Sequence, residues 1–177
     1  MEEQKFKKGI FSLGTNFGEL AQIMIKKKYG YTDSASKYYD LLDGDTRIEV
    51  KFSRALKKED ALNEDNVLAL CEKASEAIRS IKSEDAETEK FDCNIQQIKT
   101  KEFDVLIYGV FFEDCIEIYT AKKSQIKRMP NYSKKQHKGN KGEGQFHIKN
   151  TNIDYHRTKR FLERITYKQL YDILKSK

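Results

Sequence analysis

The stretch Tyr38-Tyr39-Asp40-Leu41-Leu42-Asp43-Gly44-Asp45-Thr46-Arg47-Ile48-Glu49-Val50-Lys51-Phe52-Ser53 decides how this chain is read. Apolar and polar residues alternate on both sides of Asp43-Gly44-Asp45, the pattern of two strands, Lys37 to Leu42 and Thr46 to Ser53, joined by a tight turn. Successive strand side chains point to opposite faces. Tyr39, Leu41, Ile48, Val50 and Phe52 are therefore expected in the core, and Asp40, Arg47, Glu49, Lys51 and Ser53 on the other side. With Gly44-Asp45 as the turn, Asp40 faces Glu49 and their Cβ atoms lie about 4.5–5.5 Å apart. With Asp43-Gly44 as the turn, Asp40 faces Arg47 and is diagonal to Glu49, about 7–8 Å away on the same face. Either turn keeps Asp40, Glu49 and Lys51 together; a three-residue turn would break that agreement.

The flanking segments set this hairpin in a mixed architecture. Thr15 or Asn16 can cap a helix to about Tyr29, with Phe17, Leu20, Ala21, Ile23 and Met24 as its buried stripe and Gly30 as its stop. Glu59 to Ile81 carries apolar residues at helical spacing, among them Leu62, Val67, Leu70 and Ile78. The polar run Ser83 to Lys90 is expected to be a mobile connection. Asn94 to Lys99 fits a strand or a helical turn, whereas Asp104 to Phe112 and Cys115 to Thr120 form a second hairpin. Residues 128–150, rich in Gly, Lys, Asn, Gln and His, read as a long excursion. Asp154 can cap a helix to about Arg164, and Thr166 with Gln169 makes a capping box for a last helix. This order predicts an α/β fold, a mixed sheet flanked by helices, built as one domain over 1–177.

Charged residues reach 35% of the chain, but hydrophobic residues at 38% still suffice for a core. No apolar run approaches the roughly 18–20 residues of a membrane span, and the start MEEQKFKKG has no apolar signal region. A cytoplasmic protein is expected. Cys71, Cys93 and Cys115 form no CxxC pair, which argues against a zinc knuckle or a disulfide framework and leaves three buried or half-buried thiols. The net charge of +6 is informative through its distribution: from Lys122 to Arg160 the basic residues are opposed only by Glu143 and Asp154. That segment is the place to expect a polyanion contact.

The hairpin face suggests chemistry. Two carboxylates so close repel, and a divalent cation between them removes the conflict and favours both charged forms. Magnesium prefers oxygen ligands and retains waters that can attack or bridge to a phosphate. Lys51 points into the same site, where its ammonium can orient a water and stabilise charge added to a phosphoryl group. The implied reaction is phosphodiester hydrolysis. The plain alternative is a hairpin with one solvated face, its Asp, Glu and Lys produced by ordinary alternation. Asp43 and Asp45 compete with Asp40 for the acidic role, although turn aspartates have local reasons to occur.

Asp40 followed nine residues later by Glu49-Val50-Lys51 resembles the signature of the PD-(D/E)xK nuclease superfamily, and the layout around it is similar to a small type II restriction endonuclease. Tyr39 stands where the signature has a proline. Asn94-Ile95-Gln96-Gln97-Ile98-Lys99 and Gly144-Gln145-Phe146-His147-Ile148 look like patterns frequent in restriction enzymes. The resemblance implies a restriction-endonuclease-like core in which Asp40 and Glu49 bind magnesium, the Val50 carbonyl is a third ligand and Lys51 assists the water. It also implies that Glu19, from the preceding helix, reaches the site edge or a second metal. Gln97 and Ser53 are site-edge candidates.

Base reading needs Lys or Arg toward guanine and Asn or Gln toward adenine, delivered by a loop or strand in a groove. The excursion supplies Lys134, Lys135, Gln136, His137, Lys138 and Asn140, then Lys141, Gln145, His147, Lys149 and Asn150. The partner expected is double-stranded DNA, and cutting both strands of a symmetric site is most simply done by a homodimer. His137, His147 and His156 have no familiar metal-ligand spacing. Two rivals stand beside this reading: a repair or junction-resolving nuclease of the same superfamily, and a non-catalytic nucleic-acid-binding module.

Overall fold

In the computed structural model, which describes residues 3–58, 63–72, 79–134 and 142–176, the hairpin forms with Gly44-Asp45 as its turn. Strand β2 (Leu41–Asp43), flanked by the short β1 (Thr32–Asp33), pairs antiparallel with β3 (Thr46–Arg54), Asp43 opposite Thr46 and Leu41 opposite Ile48. Gly44 has φ +56°, the left-handed conformation that glycine adopts without a Cβ penalty, so the turn falls on that residue. On its other side β3 runs parallel to β6 (Val105–Phe111). Next come β7 (Cys115–Lys122) and β9 (Phe161–Thr166), both antiparallel, which complete a mixed six-stranded sheet in the order β1-β2-β3-β6-β7-β9. A second sheet is made by β4 (Leu56–Lys57), β5 (Phe91–Ile98) and β8 (Gly144–Ile148).

Two apolar clusters sandwich the large sheet. On one face, Leu41, Ile48, Val50, Ile107 and Phe111 pack against α1 (Glu3–Phe11), α2 (Phe17–Tyr29) and a C-terminal helix over Tyr167–Lys175. On the other face, Leu106, Tyr108 and Val110 meet Phe91, Cys93, Ile95, Phe146 and Ile148 of the second sheet. The period-two alternation along β6 is thus what divides the core. Glu49 and Lys51 stand beside Leu106 and Tyr108 in register, so both side chains are presented to the space between the two sheets. Among the described residues no helix is long and apolar enough to cross a membrane.

Gly109 lies at the crowded centre of this arrangement. A β-carbon there would overlap the Phe52 ring and the carbonyl oxygen of Glu117. The second of these is backbone in the neighbouring strand and cannot swing away. Gly109→Ala is therefore expected to destabilise the protein by about 2–3 kcal/mol through overpacking, measured as a lowered urea midpoint. A wild-type midpoint would show that the sheet absorbs a methyl group there.

Several expectations hold, and several are corrected. Helix α2 ends at Gly30 (φ +71°), whose N–H donates to the Lys26 carbonyl. Phe17, Ala21 and Met24 are buried as expected and Leu20 packs against the same cluster, while Ile23 is 40% exposed and Ile25 takes its place in the core. The Thr166–Gln169 capping box forms. Tyr39 does not share the core with Leu41; it precedes β2 and packs against the opposite cluster. Of the helix expected over 59–81, residues 59–62 and 73–78 lie outside the described residues, α3 covers Val67–Glu72, and Ser80 is already bridged to Leu56. Residues 83–90 are not a free connection: Ser83–Glu87 is a 3-10 turn whose first residue donates from N–H and hydroxyl to Asp114, each at 2.7 Å. The ambiguous 94–99 segment is strand β5.

Two segments differ in kind. The helix begun near Asp154 is Ile153–Lys159 only, and Phe161–Thr166 is strand β9, because the open edge of β7 and buried Glu117 recruit it through backbone pairing and Arg164. In the excursion, residues 135–141 lie outside the described residues, but Gly144–Ile148 is strand β8 with Phe146 and Ile148 in the core. Cys93 and Cys115 are buried, whereas Cys71 is exposed.

Candidate active site

The geometry starts with an interruption in the β2–β3 ladder. Asp40 sits just before β2, and its N–H donates to the Ile48 carbonyl at 3.0 Å. Its carboxylate accepts the Val50 N–H at 2.8 Å, so a side chain satisfies a backbone donor at the place where regular pairing has stopped. The Asp40 carbonyl in turn accepts from the Ser34 N–H and from the Gln22 amide of α2. Asp40 is thereby anchored to β3, to α2 and to the segment that follows β1. Lys51 Nζ lies 2.6 Å from Glu49 Oε1 and 3.7 Å from Asp40 Oδ2, so all three groups converge on one point.

They line a cleft of about 300 Å³ between the two sheets. The far wall is Gln97, Lys99, Glu102 and Glu143, and Lys37 and Tyr38 stand at the mouth. Gln97 reaches the cleft through an irregularity in β5. Phe91, Cys93 and Ile95 alternate inward, but the register shifts between Ile95 and Ile98, Gln96 and Gln97 are both exposed, and Ile98 returns to the core. Gln97 has φ +59°, a conformation that a non-glycine residue holds at a cost, which is concentrated in proteins at bulges and functional sites. Lys99 pairs with Glu102 at 3.9 Å and with the buried Glu143 at 3.7 Å.

Burial raises the pKa of Glu49 above the ordinary carboxylate range; Lys51 opposes this and the charge of Asp40 adds to it. For Lys51 burial pulls downward, but Glu49 and Asp40 more than reverse it, leaving the ammonium's pKa raised. The trio is a partly desolvated charge cluster in which one cation serves two acids.

Among the described residues no group of three or more His, Cys, Asp or Glu side chains is placed to hold a metal ion. The donor set on offer is smaller: Asp40 and Glu49, oxygen donors only, with no imidazole or thiolate. Because both already reach one ammonium, a cation of comparable position is within reach of both. Two carboxylates with waters completing the shell suit magnesium, so the residues present fit that ion. Val50 directs its side chain into the helix-side core and gives its N–H to Asp40. Glu19 is exposed on α2, and the residue of that helix that bonds to the hairpin is Gln22. Ser53 lies beyond the cleft against Cys93. Arg47 is turned to Asp104, held bidentately at 2.9 Å, and Asp43 and Asp45 remain at the turn.

The expected DNA contacts scatter. Lys135, Gln136, His137, Lys138, Asn140 and Lys141 lie outside the described residues. Lys134 is exposed beside the cleft, in the neighbouring cavity. Gln145 accepts from Asn94, and His147 Nδ1 lies 2.8 Å from Asp92. Lys149 and Asn150 border a separate cavity of about 350 Å³. His156 is core: its Nδ1 lies 2.9 Å from the Tyr108 hydroxyl, its ring stacks on Phe146, and burial with the charge of Arg160 lowers its pKa to about 4. Sequence reasoning missed Glu102, Glu143, Lys99 and Gln22. Only the three-residue spacing of Lys99 and Glu102 carries a local signal; the others join the site through tertiary packing.

No family model matches the chain, and neither curated proteins nor solved structures gave a match.

Proposed function

We propose that this protein is a magnesium-dependent nuclease that hydrolyses phosphodiester bonds of double-stranded DNA, with a restriction-endonuclease-like core and the site specificity of a type II restriction enzyme. The observation that carries the reading is the convergence of Asp40, Glu49 and Lys51 in an open cleft between the sheets. Magnesium held by Asp40 and Glu49 would supply an acidified water and neutralise charge on the scissile phosphate. Asp40 is held for that role by the Val50 N–H, and Glu49 by partial burial that keeps bulk water away. Lys51 orients the attacking water and donates to the phosphoryl oxygen on which charge accumulates. A homodimer would present two such clefts to the two strands of a symmetric site.

The test is a digest of unmethylated plasmid and linear duplex DNA with magnesium and with a chelator. Discrete fragments that form only with the metal and share one short palindromic end sequence are expected, and sedimentation should show a dimer. Cuts at branched or damaged DNA without such a sequence would favour a repair or junction-resolving enzyme. The Lys51 ion pairs also close the cluster without any metal, which is what a binding module would need. Salt-sensitive DNA binding indifferent to magnesium, with no cleavage, would favour that reading.

A further inference from the structure

Beside the cleft lies a larger cavity of about 700 Å³. It shares Lys99, Glu102 and Glu143 with the cleft wall, so the two spaces form one trough. Its other cations come from two separate segments: Lys101 in the turn after β5, and Lys127 and Lys134, which follow α4 (Lys123–Ile126). Tyr132 closes one side. Lys99 is committed to Glu102 and Glu143. Lys101, Lys127 and Lys134 are exposed, and among the described residues none of them has a carboxylate partner. Some cations elsewhere are neutralised: Lys123 and Arg47 share Asp104, and Lys26, Lys28 and Lys57 each have an acid within reach. Other exposed lysines, Lys58 and Lys90 among them, also stand without a carboxylate partner among the described residues, but Lys101, Lys127 and Lys134 line the trough that leads away from Asp40, Glu49 and Lys51.

We infer that this trough holds the sugar-phosphate backbone of DNA on one side of the scissile bond, with Lys101 and Lys127 as phosphate contacts. The inference rests on the nuclease reading for its substrate; Lys127 lies within the basic segment 122–160, and Lys101 adds a contact from outside it. A row of ammonium groups without internal partners gains by releasing the counterions condensed on DNA, which is how a polyphosphate strand is bound without regard to sequence. Paired lysines would gain less, since an ion pair must first be broken.

The test is fluorescence anisotropy with a fluorescein-labelled duplex in chelator, on the Lys51→Ala background so that binding is read without cutting. The double variant Lys101→Ala/Lys127→Ala is expected to bind about tenfold more weakly near physiological salt, with a log–log salt slope shallower by about 2. A control, Lys58→Ala/Lys90→Ala at the cavity beside His147, removes the same charge elsewhere and should bind as the parent does. Unchanged affinity and slope, an equal loss in the control, or a parent protein that does not bind the duplex would each overturn the proposal. The two readings fail separately. A wild-type protein that never cuts but binds through Lys101 and Lys127 sinks the nuclease and keeps the trough. One that cuts normally with both lysines removed keeps the nuclease and sinks the trough.

Discussion

Lys51→Ala should reduce magnesium-dependent DNA cleavage by about a hundredfold to a thousandfold, the range seen when one preorganised donor to a charge-accumulating oxygen is removed. Binding of uncut duplex should change little, since the ammonium is engaged by Glu49 at 2.6 Å and by Asp40 at 3.7 Å rather than presented to the surface. Lys51→Arg should not restore the rate, because a planar fork cannot occupy the position of a compact ammonium between two acids. The variant also carries a pH signature. Burial raises the pKa of Glu49, and Lys51 is the group that opposes it, so removing Lys51 moves that pKa further upward. Magnesium at the proposed site would require Glu49 ionised. Metal affinity should therefore fall on acidification from above the ordinary carboxylate range, and in Lys51→Ala this limb should lie at higher pH. Calorimetric magnesium titrations across pH, alongside initial cleavage rates, check both statements; wild-type rates in the alanine variant would remove Lys51 from the chemistry.

The largest stability effect is expected at Arg157. Glu117, in β7, is fully buried and is held by Arg157 through Nε at 3.1 Å and Nη2 at 3.0 Å, by Arg164, and by the Tyr119 hydroxyl. The same Arg157 guanidinium donates to the Ser83 carbonyl at 2.6 Å and to Glu87 at 3.1 Å. Arg157→Ala leaves a carboxylate without solvent and only Arg164, half-exposed, to balance it. Removing one partner of a buried pair costs about 3–5 kcal/mol, and the partial exposure of Arg157 places this case near 3 kcal/mol. Urea unfolding measures it. Because Ser83–Glu87 loses its bonds to Arg157 and keeps those of Ser83 to Asp114, amide exchange toward Glu87 should accelerate beyond the global change. A midpoint equal to the wild type would mean that Arg164 and the Tyr119 hydroxyl suffice for Glu117.

How much of this was readable beforehand depends on how local the cause is. The turn at Gly44, the stop at Gly30 and the Thr166–Gln169 box are set by residues within a few positions of one another, and each forms where the sequence places it. The alternation of Ile48, Glu49, Val50 and Lys51 is equally local, and it brings Glu49 and Lys51 to one face. Tyr39 escapes the pattern because regular pairing stops at Leu41 and the Asp40 carboxylate takes over a backbone bond. Strand β9 was hidden because Phe161–Thr166 is defined by what it completes, the edge of β7 and the charge of Glu117. The far wall of the cleft is the clearest case. Gln97 arrives through a bulge and Glu143 through the entry to β8, and neither placement has a local sequence cause.

The side-by-side lie of Ile48 and Val105 has a kinetic consequence. Parallel neighbours cannot be joined by a tight hairpin, and here the whole second sheet apart from β8 lies in the connection between them. That contact closes a long loop and pays its entropy before any reward, so it belongs to the slow part of folding. A nascent chain that ends before Val105 holds Asp40, Glu49 and Lys51 on a ribbon without its neighbour, and the cleft that the proposed hydrolysis needs is complete only after β6 has docked.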